Sequence, residues 1–186
     1  MIRHTVLLSV ILVLSACADN SERFLIDPPA GAKPVGARVS TVELRSVSLP
    51  GYASALEIAQ QDPGGALRNV PNSVWADEPV RGVTMALARS LDAASSATVA
   101  AEPWPLEEPA QAEIDVRVDQ MLARADGVFV FSGQYAIASP DGVVRERILR
   151  FNIAQPMAGE DPAAIASASG AAIAALAAEI ARTLGR

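Results

Sequence analysis

The chain has 186 residues, of which 51% are apolar and 4% aromatic, and 15 basic against 21 acidic side chains give a net charge of −6. A chain of this length suits one domain of ordinary size, and its apolar content can build an aliphatic core, which excludes a disordered protein. The acidic balance argues against binding to nucleic acid and against electrostatic attachment to anionic lipid.

The N-terminal segment is typical of a secretory signal. Arg3 and His4 form a short polar head, and an aliphatic run from Val6 to Leu14 follows, interrupted only by Ser9. This run is too short to span a bilayer, which takes about 20 apolar residues. A charged head, a short apolar centre and small residues at its end predict a cleaved signal peptide.

The signal segment ends in Leu14-Ser15-Ala16-Cys17, which contains the only cysteine of the chain. This pattern resembles the lipobox of bacterial lipoproteins. The resemblance implies cleavage between Ala16 and Cys17 and acylation of Cys17, and several acyl chains anchor a protein stably. The alternative is an ordinary secreted protein with a chance cysteine near its cleavage site.

Ala18 occupies the position directly after this cysteine. In the Gram-negative sorting rule, an aspartate there retains a lipoprotein in the inner membrane, so the alanine implies the outer membrane, periplasmic face.

Proline and glycine are dense between residues 27 and 34, which is typical of an extended linker. We therefore divide the chain into a lipoprotein signal peptide (1–16), a lipidated flexible tether (17–36) and a single periplasmic α+β domain (37–186).

The mature chain lacks the residues that most enzyme mechanisms need. Cleavage would remove His4, the only histidine, and the lipid would occupy Cys17. A Ser-His-Asp or Cys-His mechanism and the usual zinc site are then excluded. Lys33, the only lysine, lies in the predicted tether, which disfavours Schiff-base chemistry. We expect no enzyme, no metal and no cofactor beyond the lipid on Cys17, although a carboxylate pair could still hydrolyse glycosides.

The first half of the domain predicts short strands and one helix. Val35 to Leu49 reads as a strand that ends at Pro50-Gly51, and 56–58 and 74–76 as short extended pieces. Pro79 suits the first turn of a helix. Apolar residues recur every four positions after it, which predicts an amphipathic helix over about 79–95, and this set is Val83, Leu87 and Leu91. A short strand at 98–101 follows.

The clearest pattern lies in the second half. Ile114, Val116 and Val118 alternate with charged residues, which predicts a half-buried strand. The turns Asp126-Gly127 and Pro140-Asp141-Gly142 introduce two further strands, over 128–138 and 143–153. Three antiparallel strands in sequence predict a meander.

An alanine-rich helix is predicted from about 161 to 184, because alanine is the best helix former. At 1.5 Å per residue it is long enough to cross the whole sheet. The predicted fold is therefore α+β: an antiparallel sheet, made of the C-terminal meander and the N-terminal strands, packed against two helices. No internal repeat, P-loop or Rossmann fingerprint is present.

Three aromatic residues are candidate partner contacts. Trp75 and Trp104 lie beside irregular or proline-rich segments, where exposed aromatics could anchor a partner. The alternative is that both rings fill the edges of the core, as large aromatics commonly do. Tyr52 follows Pro50-Gly51, and its position in a loop favours binding.

Two sets of charged residues are candidates for a binding site and a catalytic site. Arg145, Arg147 and Arg150 could grip an acidic partner, or could form a solvated strand face with cross-strand pairs. Asp115 and Asp119 are expected on one strand face, at a spacing compatible with a glycosidase pair. Their alternation with a basic residue favours a plain polar face instead.

The order of these elements resembles the ABC-type transport auxiliary lipoproteins of the PqiC (YmbA) type, over nearly the whole mature chain. The matching segments are the lipobox, the aromatic-leucine-aspartate segment 23–28, the first strand with its Leu-Pro-x-Tyr end at 42–52, Trp75-Ala76-Asp77-Glu78-Pro79, Pro103-Trp104-Pro105, and 157–161 with the long helix. The chain departs from the family's pattern at 53–61 and 64–72.

The resemblance implies a non-enzymatic subunit at the outer membrane of an MCE-type lipid transport system. Its partners would be an MCE-domain protein and the inner-membrane ABC permease, and a homo-oligomer could match a ring-shaped MCE partner. One alternative is a free-standing periplasmic lipid-binding lipoprotein, which needs an apolar cavity of roughly several hundred Å³ between sheet and helices. The other is a carboxylate-based envelope hydrolase that uses Asp115 and Asp119.

Overall fold

The computed structural model describes residues 20–30 and 33–186, and these form eight strands and two helices. The strands are β1 (Glu22–Phe24), β2 (Thr41–Leu44), β3 (Glu57–Gln61), β4 (Leu67–Trp75), β5 (Thr98–Ala101), β6 (Ala112–Ala123), β7 (Val128–Ala138) and β8 (Arg147–Pro156). The helices are α1 (Pro79–Ala94) and α2 (Pro162–Leu184). The predicted cleavage and lipidation residues, Ala16 and Cys17, lie outside the described residues.

The eight strands form one mixed sheet, so the prediction of a purely antiparallel sheet was wrong. Strand β6 pairs antiparallel with β7, and β7 with β8. On its other side β6 takes two parallel partners, β2 and β3. Strand β5 adds parallel to β2, and β4 and then β1 extend the sheet from β3. Parallel pairing needs a crossover connection, and α1 lies in the connection from β2 to β5.

Both helices begin and end close to the predicted bounds. Glu78 caps α1 by accepting hydrogen bonds from the amides of Val80 and Arg81, at 3.2 and 2.8 Å. Asp161 caps α2 by accepting from the amide of Ala164 at 2.9 Å. A carboxylate at this position satisfies amides that have no partner within the helix.

The core lies between the sheet and the two helices. The predicted apolar face of α1 is buried. On α2 the large buried side chains are Ile165, Ile173, Leu176, Ile180 and Leu184. By length and composition alone α2 could cross a membrane, but 61% of its most apolar window is buried within the fold. This burial is what a core helix requires.

The first half of the chain differs most from its prediction. The predicted first strand shrinks to β2, with isolated bridges at Val35 and Ser48. Residues 67–75, which overlap the segment 64–72 where the chain departs from the family's pattern, form the nine-residue strand β4. The predicted turns are present where glycine is needed, since Gly127 and Gly142 have φ of 80° and 66°.

Part of the predicted tether is folded onto the domain. Strand β1 pairs parallel with β4, with Phe24 opposite Trp75. Ile26 is 9% exposed and belongs to the core. The folded domain therefore begins near residue 22, within the segment expected to be a flexible tether. The remaining division of the chain stays a prediction.

Candidate functional site

A groove of about 650 Å³ opens where β2 and β5 end and α1 begins. Parallel strands end at the same edge of a sheet, and here the amide of Glu102 donates to the carbonyl of Leu44 at 2.9 Å. The groove combines two arginines, three glutamates and a small apolar surface, and these side chains are Arg45, Arg81, Glu43, Glu78, Glu102, Met85, Pro103 and Trp104.

Trp104 forms part of the groove wall. Its ring is half-buried, and its Nε1 donates a hydrogen bond to the carbonyl of Glu108 at 2.7 Å. Met85, which projects from α1 into the same groove, is 38% exposed. An orientated tryptophan beside a methionine provides the kind of apolar surface that is enriched at protein interfaces.

Most of the charged groups of the groove are held by protein partners. Arg45 binds Glu113 through Nη2 at 2.6 Å and Nε at 3.1 Å, and this hydrogen bond raises the pKa of Arg45 above its ordinary value. Arg81 pairs with Asp77, four residues earlier in the chain. Glu102 accepts from the amide of Ser46 at 2.9 Å. Groups engaged in this way shape the groove and are poorly suited to proton transfer.

Thr84 forms the floor of the groove and joins α1 to the end of β2. Its Oγ1 accepts from the amide of Val47 at 3.0 Å and donates to the carbonyl of Val80 at 2.7 Å. Only 5% of this residue is exposed. The hydroxyl therefore satisfies a buried amide that would otherwise lose its hydrogen bond.

The three candidate aromatics do not meet at one site. Trp75 is 6% exposed and belongs to the hydrophobic core, so little of its ring is open to a partner. Tyr52 is half-buried, and its hydroxyl accepts from the amide of Met121 at 3.2 Å. Among the three, Trp104 is the one that lines the groove.

The carboxylates considered for hydrolysis are separated by an irregularity in β6. Pairing with β7 shifts in register between Val118 and Gln120, which leaves Asp119 in a bulge. The regular alternation that predicted a shared face therefore stops before Asp119. Asp115 accepts a hydrogen bond from Nε of Arg117 at 3.1 Å.

Within residues 20–30 and 33–186, no group of three or more acidic, His or Cys side chains is placed to hold a metal ion.

Among the described residues, the space between α2 and the sheet is filled by packed side chains, where a lipid carrier would need a cavity. The cavity that reaches α2 at Ile165 has a volume of about 10 Å³. Side chains of α2 that face the sheet are tightly packed, with Ala172, Leu176 and Ile180 each 0% exposed. A bound acyl chain would have to displace packed core residues.

These observations define a class of protein: an α+β domain with a mixed sheet, a long covering helix and a surface groove of paired charges. Residues 24–181 match the model of the family described as ABC-type transport auxiliary lipoprotein component, and the chain belongs to this family. The resemblance noted from the sequence is thereby confirmed. No curated protein matches the chain.

Two solved structures share the fold. A crystal structure of an uncharacterized protein matches with a TM-score of 0.67 at 17% identity, and the match covers 84% of this chain and 98% of that one. Protein XCC0632 from Xanthomonas campestris, of the DUF330 family, matches with a TM-score of 0.68 at 14% identity over 89% and 93% of the two chains. At these identities the likeness establishes the fold alone.

Proposed function

We propose that this chain is an auxiliary outer-membrane lipoprotein subunit of an MCE- and ABC-type intermembrane lipid transport system, and that it acts by binding other proteins. The family match supports a place beside an ABC transport system. The observation that carries the proposal is the groove beside Trp104, where apolar surface lies between charged groups, most of which are already held by hydrogen bonds or ion pairs. The inferred partners are an MCE-domain protein and its ABC permease.

Such a groove suits a protein partner better than a lipid chain. Pockets for apolar ligands are lined predominantly by hydrophobic side chains, whereas this groove contains three glutamates and two arginines. Because Arg45 and Arg81 are held by carboxylates, little further ordering of these side chains is needed when a partner docks. Trp104 then offers the rigid aromatic anchor typical of binding hot spots.

We further infer that Cys17 carries the lipid and that Ala18 directs the protein to the outer membrane. Only residues 18–21 separate this cysteine from Glu22, the first residue of β1. At about 3.5 Å per residue, this stretch would hold β1 within roughly 18 Å of the lipid. The domain would therefore sit close to the membrane, rather than stand away from it on a tether that ends at residue 36.

The test is affinity purification of the lipidated protein from cross-linked native membranes, followed by mass spectrometry. We expect recovery of an MCE-domain protein, with or without its permease. Trp104→Ala should lower that recovery about tenfold, as expected for loss of an aromatic anchor. Leu106→Ala is the matched control, because Leu106 lies in the same loop, is 58% exposed and does not line the groove.

Recovery of abundant envelope proteins alone would contradict the proposal. Native mass spectrometry of the same preparation then tests the lipid-binding alternative, since a co-purifying lipid would favour it.

We also propose a homo-oligomer that matches the symmetry of a ring-shaped partner. Light scattering from the lipidated protein checks this, and a monomer would count against it.

A further inference from the structure

We propose that the outer edge of β8 binds an acidic, extended segment of a partner protein by adding it to the sheet as a further strand. Strand β8 pairs with β7 on one side, and within the described residues no strand pairs with its other side. An unpaired edge of this length presents main-chain donors and acceptors that can bind a strand from another chain. This inference does not depend on the transport role.

The hydrogen bonding of the hairpin identifies which amides face outward. The amide of Met157 donates to the carbonyl of Gly127, and Gln155 lies opposite Phe129. In an antiparallel ladder the pairs that exchange hydrogen bonds alternate with pairs that do not, so the odd-numbered residues of β8 bond to β7. The free main-chain groups are therefore those of Ile148, Arg150, Asn152 and Ala154. Pro156, which has no N–H, ends this edge.

The side chains along this edge are exposed and partly apolar. Ile148 is 71% exposed, the highest value among the large apolar residues of the described chain. Leu149 and Ile153, on the helix side of β8, are only partly buried. An added strand would cover these three side chains, which gives strand addition a hydrophobic contribution besides its hydrogen bonds.

The charge of the edge selects an acidic partner. Arg145, Arg147 and Arg150 lie within six consecutive positions of a chain whose net charge is −6. In the described part of the chain, no carboxylate forms an ion pair with any of them. The nearest acidic neighbour in sequence, Glu146, accepts from the amide of Ser139 at 3.3 Å.

Neighbouring elements leave this positive charge largely uncompensated. On the open face, Arg150 lies opposite Gln134, and Gln134 lies opposite Arg117, which already pairs with Asp115. On the helix side, Glu179 lies near the Tyr135 hydroxyl, 3.4 Å from it, and forms no ion pair with Arg147 among the described residues.

A second copy of this chain is a poorer occupant of the edge. Pairing of β8 with β8 would bring two sets of three arginines to one seam, and like charges across strands are destabilising. Charged side chains on edge strands commonly prevent such self-association. The same arginines that oppose a second copy would attract an acidic strand, so the edge discriminates between the two.

The experiment measures binding of two synthetic ten-residue peptides, one alternating Val and Glu and one alternating Val and Lys, to the full lipidated protein in detergent. Fluorescence anisotropy should detect the acidic peptide and not the basic one, and added salt should weaken binding. Hydrogen exchange should slow in β8 when the acidic peptide is bound. Equal binding of both peptides, or protection at the Trp104 groove instead, would overturn the proposal.

Two pairs of variants separate main-chain pairing from charge. Asn152→Pro removes an outward N–H without removing a bond to β7, and should weaken binding about tenfold, whereas Asn152→Ala keeps the N–H and should not. Arg150→Gln should weaken binding about fivefold, and Arg89→Gln, which removes the same charge from α1, should leave it unchanged. Unchanged binding by Asn152→Pro would overturn strand addition. Concentration-dependent dimerisation of the wild-type protein that Asn152→Pro abolishes would overturn the choice of an acidic partner, because a second copy would then occupy the edge.

Discussion

The main chain at Asp27 crosses α2 directly over Gly170. A Cβ atom on Gly170 would lie 2.5 Å from the carbonyl oxygen of Asp27, closer than atoms can pack. A second such contact lies at the other end of the helix, where a Cβ on Gly185 would lie 2.5 Å from the carbonyl oxygen of Gly36. These two glycines allow the main chain at Asp27 and at Gly36 to approach α2 closely, although each glycine lies in or beside a helix where alanine would be favoured.

Gly170→Ala should therefore destabilise the protein. We expect a loss of about 1–3 kcal/mol in the free energy of unfolding, because the new methyl group displaces the backbone at Asp27. Chemical denaturation measures this, and hydrogen exchange should quicken in β1. Gly82→Ala is the matched control on α1, where the nearest atoms lie 4.0 Å from the new Cβ. That substitution should stabilise by about 0.5–1 kcal/mol through helix propensity, and a loss there would contradict the reasoning.

Gly133→Ala should be more damaging. A Cβ on Gly133 would lie 2.1 Å from the carbonyl oxygen of Arg117, at the bulge of β6. We expect a loss of about 3 kcal/mol, at the upper end for overpacking, because backbone on a central strand has to move. Thermal unfolding compares this variant with Gly51→Ala, whose Cβ would meet no atom within 4 Å. Equal stability of the two variants would contradict this prediction, because the backbone at the bulge would then move at little cost in free energy.

Thr84→Val should cost about 1–3 kcal/mol, the penalty for leaving a buried amide without an acceptor. The amide in question is that of Val47, which donates to the Thr84 hydroxyl. Thr84→Ser keeps the hydroxyl and should cost less, although it removes a methyl group. Denaturant titration of both variants is the measurement. A larger loss for Thr84→Ser would point to packing of the methyl group rather than to the hydrogen bond.

Tyr135 should make stability fall at high pH. Burial raises the pKa of its phenol above the ordinary value, while its hydroxyl lies 3.0 Å from Oγ1 of Thr183. In the unfolded chain the phenol loses its proton near pH 10, whereas the folded protein retains it. Stability is thus fully present below about pH 10 and is lost as pH rises through the folded pKa. The free energy of unfolding, measured across this pH range, should fall less steeply for Tyr135→Phe than for the wild-type protein. An identical fall in the two proteins would contradict the assignment.

Two substitutions test the proposed anchor. Cys17→Ser should release the protein from membranes, because the acylated residue is lost. Ala18→Asp should move the lipidated protein to the inner membrane if the sorting rule applies. Density-gradient separation of the two membranes, with mass spectrometry of the N-terminal peptide, measures both outcomes. Retention of Cys17→Ser in the outer membrane would contradict the proposed lipidation.

The prediction from sequence succeeded where local patterns were sufficient. The helix bounds follow from Pro79, from the alanine-rich composition of α2 and from apolar residues at helical spacing. Strand β7 has the predicted bounds, because glycine-containing turns flank it. Only the end of strand β4, at 74–75, was predicted as extended, since its burial does not alternate regularly and it contains Pro71 and Asn72, whose φ is 54°. Such residues are typical of turns, and only pairing with β3 and β1 makes this segment a strand.

The candidate site was predicted only in part. Trp104 was recognised as a possible contact from its proline-rich surroundings, but Arg45 and Arg81 gave no sequence signal. They reach one groove because β2, β5 and α1 meet there, and these elements are separated widely along the chain. Trp75 carried the same signal as Trp104, yet its position opposite Phe24 buries it. Exposure depends on what packs over a residue, and composition does not specify that.

The sequence by itself determined the two helices, the alternating strands of the second half and the family. These features depend on local periodicity, capping and residue type. The tertiary structure alone decided the direction of the strands, the docking of β1, the groove beside Trp104 and the free edge of β8. An apolar–polar alternation fixes which face of a strand is buried, but it is the same for parallel and antiparallel neighbours. The choice of neighbour is made by the connections and by burial against α1 and α2.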